Sequence, residues 1–303
     1  MRFAISIPQV VTGGDFDPGP FRHHLERAEA LGFDSAWTVD QVLGPAPTLG
    51  PIETMTYAAA LTRRLRLGCA VFVSPQYSPV HLAKSLSTLD QLSGGRLEVG
   101  VAIGGRDRTL DAFGVDPDGL VSRFTEGIAL MKACWTQPRI TFEGRFWRLD
   151  DAVMEPRPVQ APHPRIWFGG RVPAGLRRAV RLGGGFFGAG SATTEQFAEQ
   201  VRVVREALAE EGRDAADFPI AKRVYVAVED DEAGARRRGA AELAHLYSSG
   251  DMAPVGVYGP PDVCARGLRE VADAGAELIL LHPLYDDTAQ MERLAAEVLP
   301  QLG

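Results

Sequence analysis

The chain has little that would commit it to a metal, a nucleic acid or a membrane. Only three of its 303 residues are cysteine. Cys69, Cys134 and Cys264 are odd in number, far apart and set among apolar neighbours, so they fit no zinc spacing and read as reduced core thiols. The formal net charge is −7 and no basic stripe appears, which argues against nucleic acid and against an anionic membrane surface as the main partner. The apolar opening, Met1 to Pro8, is too short for a signal peptide and reads as a first strand, so a cytoplasmic protein is expected. No linker or low-complexity run divides the chain, and we expect one domain over residues 1–303.

Motifs of several enzyme classes are missing as well. The chain has no GxxxxGK[ST] phosphate loop, no HExxH metal pair and no GxSxG nucleophile elbow; Gly188-Ala189-Gly190-Ser191-Ala192 approaches the last only superficially. Gly13-Gly14, after the first strand, lacks the third glycine of a dinucleotide fingerprint. Dedicated NAD binding is therefore not expected, although a reduced nicotinamide can enter as a transient substrate.

What the chain does have is alternation, with hydrophobic residues at 45% to fill a core. Strand patterns fall at Arg2 to Ile7, Asp34 to Thr38, Leu65 to Val73, Leu97 to Ala102, Arg165 to Phe168, Gly185 to Phe187, Ala221 to Val228 and Glu277 to Leu281. Helical patterns fall at Phe21 to Leu31, Glu53 to Thr62, Pro79 to Leu92, Ser122 to Trp135, Pro173 to Leu182, Thr194 to Glu211 and Asp262 to Ala274, with a last one near Thr288 to Leu299. Eight strands alternating with helices in a chain of this length predict an α/β fold, a TIM (β/α)8 barrel rather than an open sheet.

The crossover after the third strand is the most explicit. Ser78 is an N-cap and Pro79 takes the first helical position. Leu82, Leu86, Leu89 and Leu92 make one buried face, and Ser93-Gly94-Gly95 stops the helix. The interval between the fourth and fifth strands is long. In it Ile140 to Trp147 alternates around Glu143-Gly144 as a hairpin would, and a proline-rich stretch, Pro156 to Pro164, follows. We expect an inserted flap over about residues 136–164.

In a barrel, chemistry belongs at the carboxyl ends of the strands. The residues there are Pro8-Gln9, Asp40-Gln41, Ser74 to Tyr77, Gly104-Gly105-Arg106-Asp107, Gly169-Gly170-Arg171, Ala189-Gly190-Ser191 and His282. Asp40 serves either as a cap of the turn after strand two or as a contact to cofactor or substrate. Gly104 and Gly105 admit close approach of a cofactor or simply a tight turn. Gly169-Gly170 exposes backbone N–H groups just ahead of the helix at Pro173, which suits a phosphate. Ser191, with Thr193 and Gln196 in capping-box spacing, offers hydroxyls and a second helix start. Phosphate loops after strands five and six are displaced from the usual place in barrels, after strands seven and eight. Lys222 and Arg223 open the seventh strand, which puts them near the barrel floor and favours ion pairing. Arg236 to Arg238 reads as a solvated helix face. His23, His24 and His81 read as packing or surface residues, and His163 as part of the flap.

The segments Arg64 to Gly105, Arg123 to Trp135, Thr141 to Trp147, Pro156 to Gly170 and Gly275 to Pro283, with RIWFGG and LSGGR in this order, resemble the luciferase-like monooxygenase superfamily. More narrowly, they resemble its actinobacterial branch that uses coenzyme F420, a deazaflavin. The resemblance implies a β/α barrel, commonly a homodimer, that binds FMN or the deazaflavin in the barrel mouth. It implies a cis non-proline bond at Ala70-Val71 supporting the ring, and phosphate contacts at Gly169, Gly170, Ala189, Gly190 and Ser191.

Two departures bear on mechanism. Relatives often carry histidine after the acidic residue that ends strand two; this chain has Gln41, which can orient but not titrate. Flavin-dependent relatives often carry an arginine soon after strand four, where this chain has Ile103, with Arg106 a few residues later. The expectation is an oxidoreductase with Asp40 and Gln41 near the reacting centre and Trp147 as a substrate wall. F420 is favoured over FMN, with hydride moving to or from a small organic substrate. An FMN monooxygenase is the nearest alternative. A non-redox lyase or isomerase on a phosphorylated metabolite, using Asp40, Asp107 or His282, comes from another class, and a non-catalytic cofactor carrier is a third.

Overall fold

A computed structural model describes residues 1–11, 14–44, 46–104, 110–247 and 252–303. In chain order the elements are β1 (Arg2–Ser6), α1 (Pro18–Ala30), β2 (Ser35–Thr38), α2 (Pro51–Leu61), β3 (Arg66–Val73), α3 (Pro79–Ser93), β4 (Leu97–Ala102) and α4 (Leu120–Thr136). A hairpin of β5 (Ile140–Glu143) and β6 (Arg148–Ala152) follows, then β7 (Ile166–Gly169), α5 (Pro173–Leu182), β8 (Gly185–Gly188) and α6 (Thr194–Glu210). The last third is β9 (Ile220–Val228), α7 (Glu232–Tyr247), β10 (Gly256–Gly259), α8 (Pro261–Asp273), β11 (Leu278–Pro283) and α9 (Asp287–Arg293).

The main sheet runs β10-β9-β11-β1-β2-β3-β4-β7-β8, and β8 pairs again with β9. Apart from β10, which continues along β9 past the reach of β8, this is the closed eight-strand order of a TIM barrel. All eight expected strands are present. β2 and β8 are buried at every position, as strands covered on both faces must be. The pattern passed over β10 and α7. β10 is four residues with glycine at both ends, and the buried face of α7 is only Ala235, Gly239 and Leu243, too small an apolar stripe to register as one.

The chain forms two compact units, one of residues 9–16 and 38–169, the other of 1–8, 17–37 and 170–303. In the first, α3 begins at Ser78 and ends at Gly94 in the left-handed region (φ 67°), as its sequence signals require. One expectation fails: Leu82, Leu86 and Leu89 are buried, but Leu92 is 63% exposed and Ser93 is inside. At about 100° per residue position 93 lies over Leu82, whereas position 92 has rotated off the face.

The LSGGR motif has its explanation at Arg96. Its guanidinium donates to the carbonyls of Ser93, Leu65, Ala59 and Thr62 and to the Thr62 hydroxyl. These carbonyls lie at the end of α3 (Ser93), at the end of α2 (Ala59, Thr62) and at the strand entry beyond it (Leu65). Nearby, buried Glu98 accepts from Arg66 (2.7 Å) and from the Trp167 indole (2.7 Å), tying β3, β4 and β7 at their amino ends.

The hairpin turns later than expected, over residues 144–147. Its tip is fastened, because Glu126 of α4 accepts the N–H groups of Arg145, Phe146 and Trp147. The proline-rich stretch lies along α3, where Ser87 and Gln91 donate to the carbonyls of Pro156 and Arg157.

Arg96→Ala strips donors from five acceptors at once, and a loss of about 3–5 kcal/mol in stability is expected, read as a lower urea midpoint with unchanged slope. A second test concerns His24 in the other unit, fully buried between the Ser6 carbonyl and the Thr288 hydroxyl. Burial lowers its pKa from 6.5 to about 4. Below pH 6.5 the unfolded chain takes up a proton that the folded one refuses until about pH 4, so stability is complete above this window and falls across it as acid is added. Denaturation midpoints between pH 7 and 4 are expected to decline less in His24→Gln than in the wild type.

Candidate functional site

In the unit of residues 9–16 and 38–169, β3 changes course before it ends. The Ala70-Val71 bond is cis, as the resemblance implies, and the pairing with β4 slips between Cys69 and Phe72. The slip sets the Cys69 carbonyl against Gly100 of β4, where a Cβ would lie 2.1 Å from that oxygen. Only glycine at position 100 admits the bulge. A Cβ on Gly169 would be 3.5 Å from the Val71 side chain, so Ala70, Val71 and Gly169 are brought together.

Asp40 follows β2 and faces the end of β3. Its Oδ2 accepts the Val73 N–H (2.9 Å) and its Oδ1 the Tyr77 hydroxyl (2.8 Å). Burial pushes its pKa up against the pull of these two bonds. The Tyr77 phenol is also raised, by burial and by the neighbouring carboxylate. Both Asp40 oxygens are thus engaged in holding the segment that leaves the bulge. The amide of Gln41 is folded over Gly44. Gln9 is a clamp: it accepts the Val39 N–H (2.5 Å) and donates to the carbonyls of Val39 and Leu49.

Gly104 has φ +79°, and a Cβ there would sit 2.5 Å from Val73 Cγ1, so the turn needs glycine. Gly105, Arg106 and Asp107 lie outside the described residues. Trp147 stands 4.7 Å from the Arg123 guanidinium, and with Ser74, Pro75 and Tyr77 these two line a recess beside α4.

The unit of residues 1–8, 17–37 and 170–303 contains a corner rich in hydrogen-bond donors. Gly170 and Arg171 lead into α5, and the Arg171 guanidinium donates to the Ser191 hydroxyl. Ser191 belongs to a tight turn closed by Ala192 N–H to Ala189 O (3.1 Å). The expected capping box of α6 forms, with Thr193 and Gln196 bonded to each other, so neither is a free ligand. Tyr247 stands beside Ser191, and its hydroxyl meets that of Tyr225 at 2.7 Å. His282 faces Tyr225 edge-on at 5.0 Å. Its Nδ1 is buried with no partner among the described residues, and burial with nearby Arg223 lowers its pKa to about 3, which leaves the ring neutral.

Lys222 corrects the sequence reading. Among the described residues it forms no ion pair, and its ammonium reaches the carboxyl end of β8. Lys222 stands level with Gly188, the last residue of the four-residue β8, while on its other side it pairs with Ile279 near the start of β11, so the stagger of the sheet sets its height. Its ammonium donates to the carbonyls of Ala189 (2.6 Å), Ala192 (2.9 Å) and Arg223 (3.0 Å). Burial, then Arg223 and Arg171, lower its pKa to about 7. Nothing in periodicity marked Lys222, Tyr225 or Tyr247; strand register puts the first two here, and the end of α7 brings the third.

An anionic tail suits this corner. Its polar groups are a guanidinium, a hydroxyl, backbone amides and a buried ammonium, and no carboxylate bonds Arg171 or Lys222 among the described residues. No cluster of three or more metal-binding side chains occurs among the described residues, and none of their helices is long and apolar enough to cross a membrane.

Removing the Asp40 carboxylate strands one N–H and one hydroxyl. Asp40→Ala is expected to lose about 2 kcal/mol of stability, and Asp40→Asn, which keeps an acceptor for Val73, less than about 1 kcal/mol. Melting temperatures of the two variants check the difference.

Comparison with known proteins agrees with this geometry. A family description, luciferase-like monooxygenase, matches residues 1–255. The chain is 31% identical to an FMNH(2)-dependent dimethylsulfone monooxygenase of Pseudomonas putida, over 91% of this chain and 75% of that one. It is 27% identical to an F420-dependent glucose-6-phosphate dehydrogenase of Intrasporangium calvum, over 95% and 96%. The solved structure of monooxygenase RslO1 from Streptomyces bottropensis superposes with TM-score 0.84 at 26% identity, over all of both chains. The chain belongs to the luciferase-like monooxygenase family.

Proposed function

We propose that the protein is an oxidoreductase using a flavin-type cofactor, coenzyme F420 in preference to FMN, to move hydride to or from a small organic substrate. The observation that carries this reading is the donor-rich corner of Gly170, Arg171, Gly190, Ser191 and Lys222, which suits the phosphate common to both cofactors. Ile103 supports the deazaflavin. It packs against Leu110, Val115 and Leu120, where flavin-dependent relatives often carry an arginine.

Such a cofactor, when bound, supplies the hydride donor or acceptor. The chain's own residues bind and orient. Gly169, Gly170, Arg171, Ala189, Gly190 and Ser191 would hold the tail, with Gly104, Gly105 and Arg106 as further contacts. Ala70 and Val71 would back the ring, and Asp40 keeps the strand end beyond them in place through Val73 and Tyr77. Gln41 would orient a polar group near the reacting centre, and Trp147 would wall the substrate. His282, neutral across the physiological range, can share a hydrogen bond but carries no charge. The reading includes a single barrel domain, a homodimer and a cytoplasmic setting, the last supported by three buried cysteines that form no disulfide.

A second reading, an FMN-dependent monooxygenase, is favoured by the 31% identity to the dimethylsulfone enzyme. Titrating the apo-protein with F420 and with FMN, followed by cofactor fluorescence, separates the two. We expect F420 to bind at least tenfold more tightly; tighter FMN binding selects the second reading, and binding of neither overturns both.

A further inference from the structure

We propose that Lys222 is a positioning residue that sets the protein's grip on a cofactor phosphate, acting from beneath the turn between β8 and α6. The inference rests on the proposed function, which places an anionic tail at this corner.

Lys222 Nζ draws in the carbonyl oxygens of Ala189 and Ala192, the first and last residues of the turn. The Ala189-Gly190 peptide is trans, since the cis bonds lie elsewhere. In a planar trans peptide the C=O and the following N–H point in opposite directions. Fixing the Ala189 carbonyl on the ammonium therefore aims the Gly190 N–H away from Lys222, and that N–H has no partner among the described residues. Gly190 itself is seated on the Tyr225 ring, where a Cβ would lie 2.6 Å away, so the turn cannot easily tip. Ser191, next in the chain, carries the hydroxyl that Arg171 engages. Amide, hydroxyl and guanidinium are thus presented together.

The second argument is charge. Lys222 is 2% exposed, and a methionine would fill much the same space without the cost of burying an ammonium. Its three N–H groups meet three carbonyls, so it is satisfied as a donor but not neutralised. Arg171 and Arg223 are close enough to repel it. A phosphate arriving on the turn relieves that repulsion, and the buried charge acts on it with little screening by solvent.

A lysine with only a structural role would affect phosphorylated and phosphate-free ligands alike. The test is therefore a ratio. For wild type and Lys222→Met, dissociation constants are measured for FMN and riboflavin, and for F420 and its phosphate-free deazaflavin. We expect the variant to bind the phosphate-bearing member of each pair at least tenfold more weakly and the phosphate-free member as wild type does. Equal losses in both members, or no loss in either, overturn the proposal. Should Lys222→Met not fold, the wild-type protein decides alone. Titration with inorganic phosphate, followed by amide NMR, should shift Gly190 and Ser191 saturably, and unmoved signals overturn the proposal. Failure of wild type to bind any of the four cofactors refutes the proposed function instead, and the phosphate titration still decides the role of the turn.

Discussion

At the carboxyl end of a parallel strand the hydrogen-bond ladder stops, yet the last N–H and C=O groups still lie where water is scarce. Side chains must supply what the next strand does not. Gln9 does so for Val39, Asp40 for Val73, and Lys222 for Ala189 and Ala192. Each is a polar or charged residue placed where chemistry is expected, and each is already occupied by backbone. Among the described residues, the groups that can still turn to a ligand include the Arg171 guanidinium and Ser191 hydroxyl, which bond each other, the Gly190 amide and the neutral His282 ring.

The same constraint explains why glycines gather at these ends. Gly100 yields to the displaced Cys69 carbonyl, and Gly190 to Tyr225. In each case a neighbour has moved into the space of a Cβ, and the backbone departs from regular strand geometry beside it. Rigidity at the site comes from this mutual fit together with the side-chain clamps, not from extended pairing.

Much of the architecture was legible because barrel strands buried on both faces read as short apolar runs, and crossover helices advertise their ends; Ser78, Pro79 and Gly94 sit where their chemistry puts them. Leu92 was misjudged because leucine spacing says less than rotation about the helix axis does. α7 escaped because alanine and glycine make its buried face. The turn at Ala189 to Ser191 and the pair Gly169-Gly170 stood out as glycine-rich strand ends, whereas the cis bond at Ala70-Val71 was reachable only through family resemblance. Lys222 was misplaced for a deeper reason. Stagger between neighbouring strands decides the height of a residue in a barrel, and no single strand's sequence encodes it.

Arg96, Arg66 and Glu98 lock the amino ends of β3, β4 and β7, on the amino side of the bulge and at the opposite end of β4 from Gly104. The foundation and the working rim therefore share no side chains in this part of the molecule. Rim loops can be rewritten for a different reaction while the foundation goes untouched.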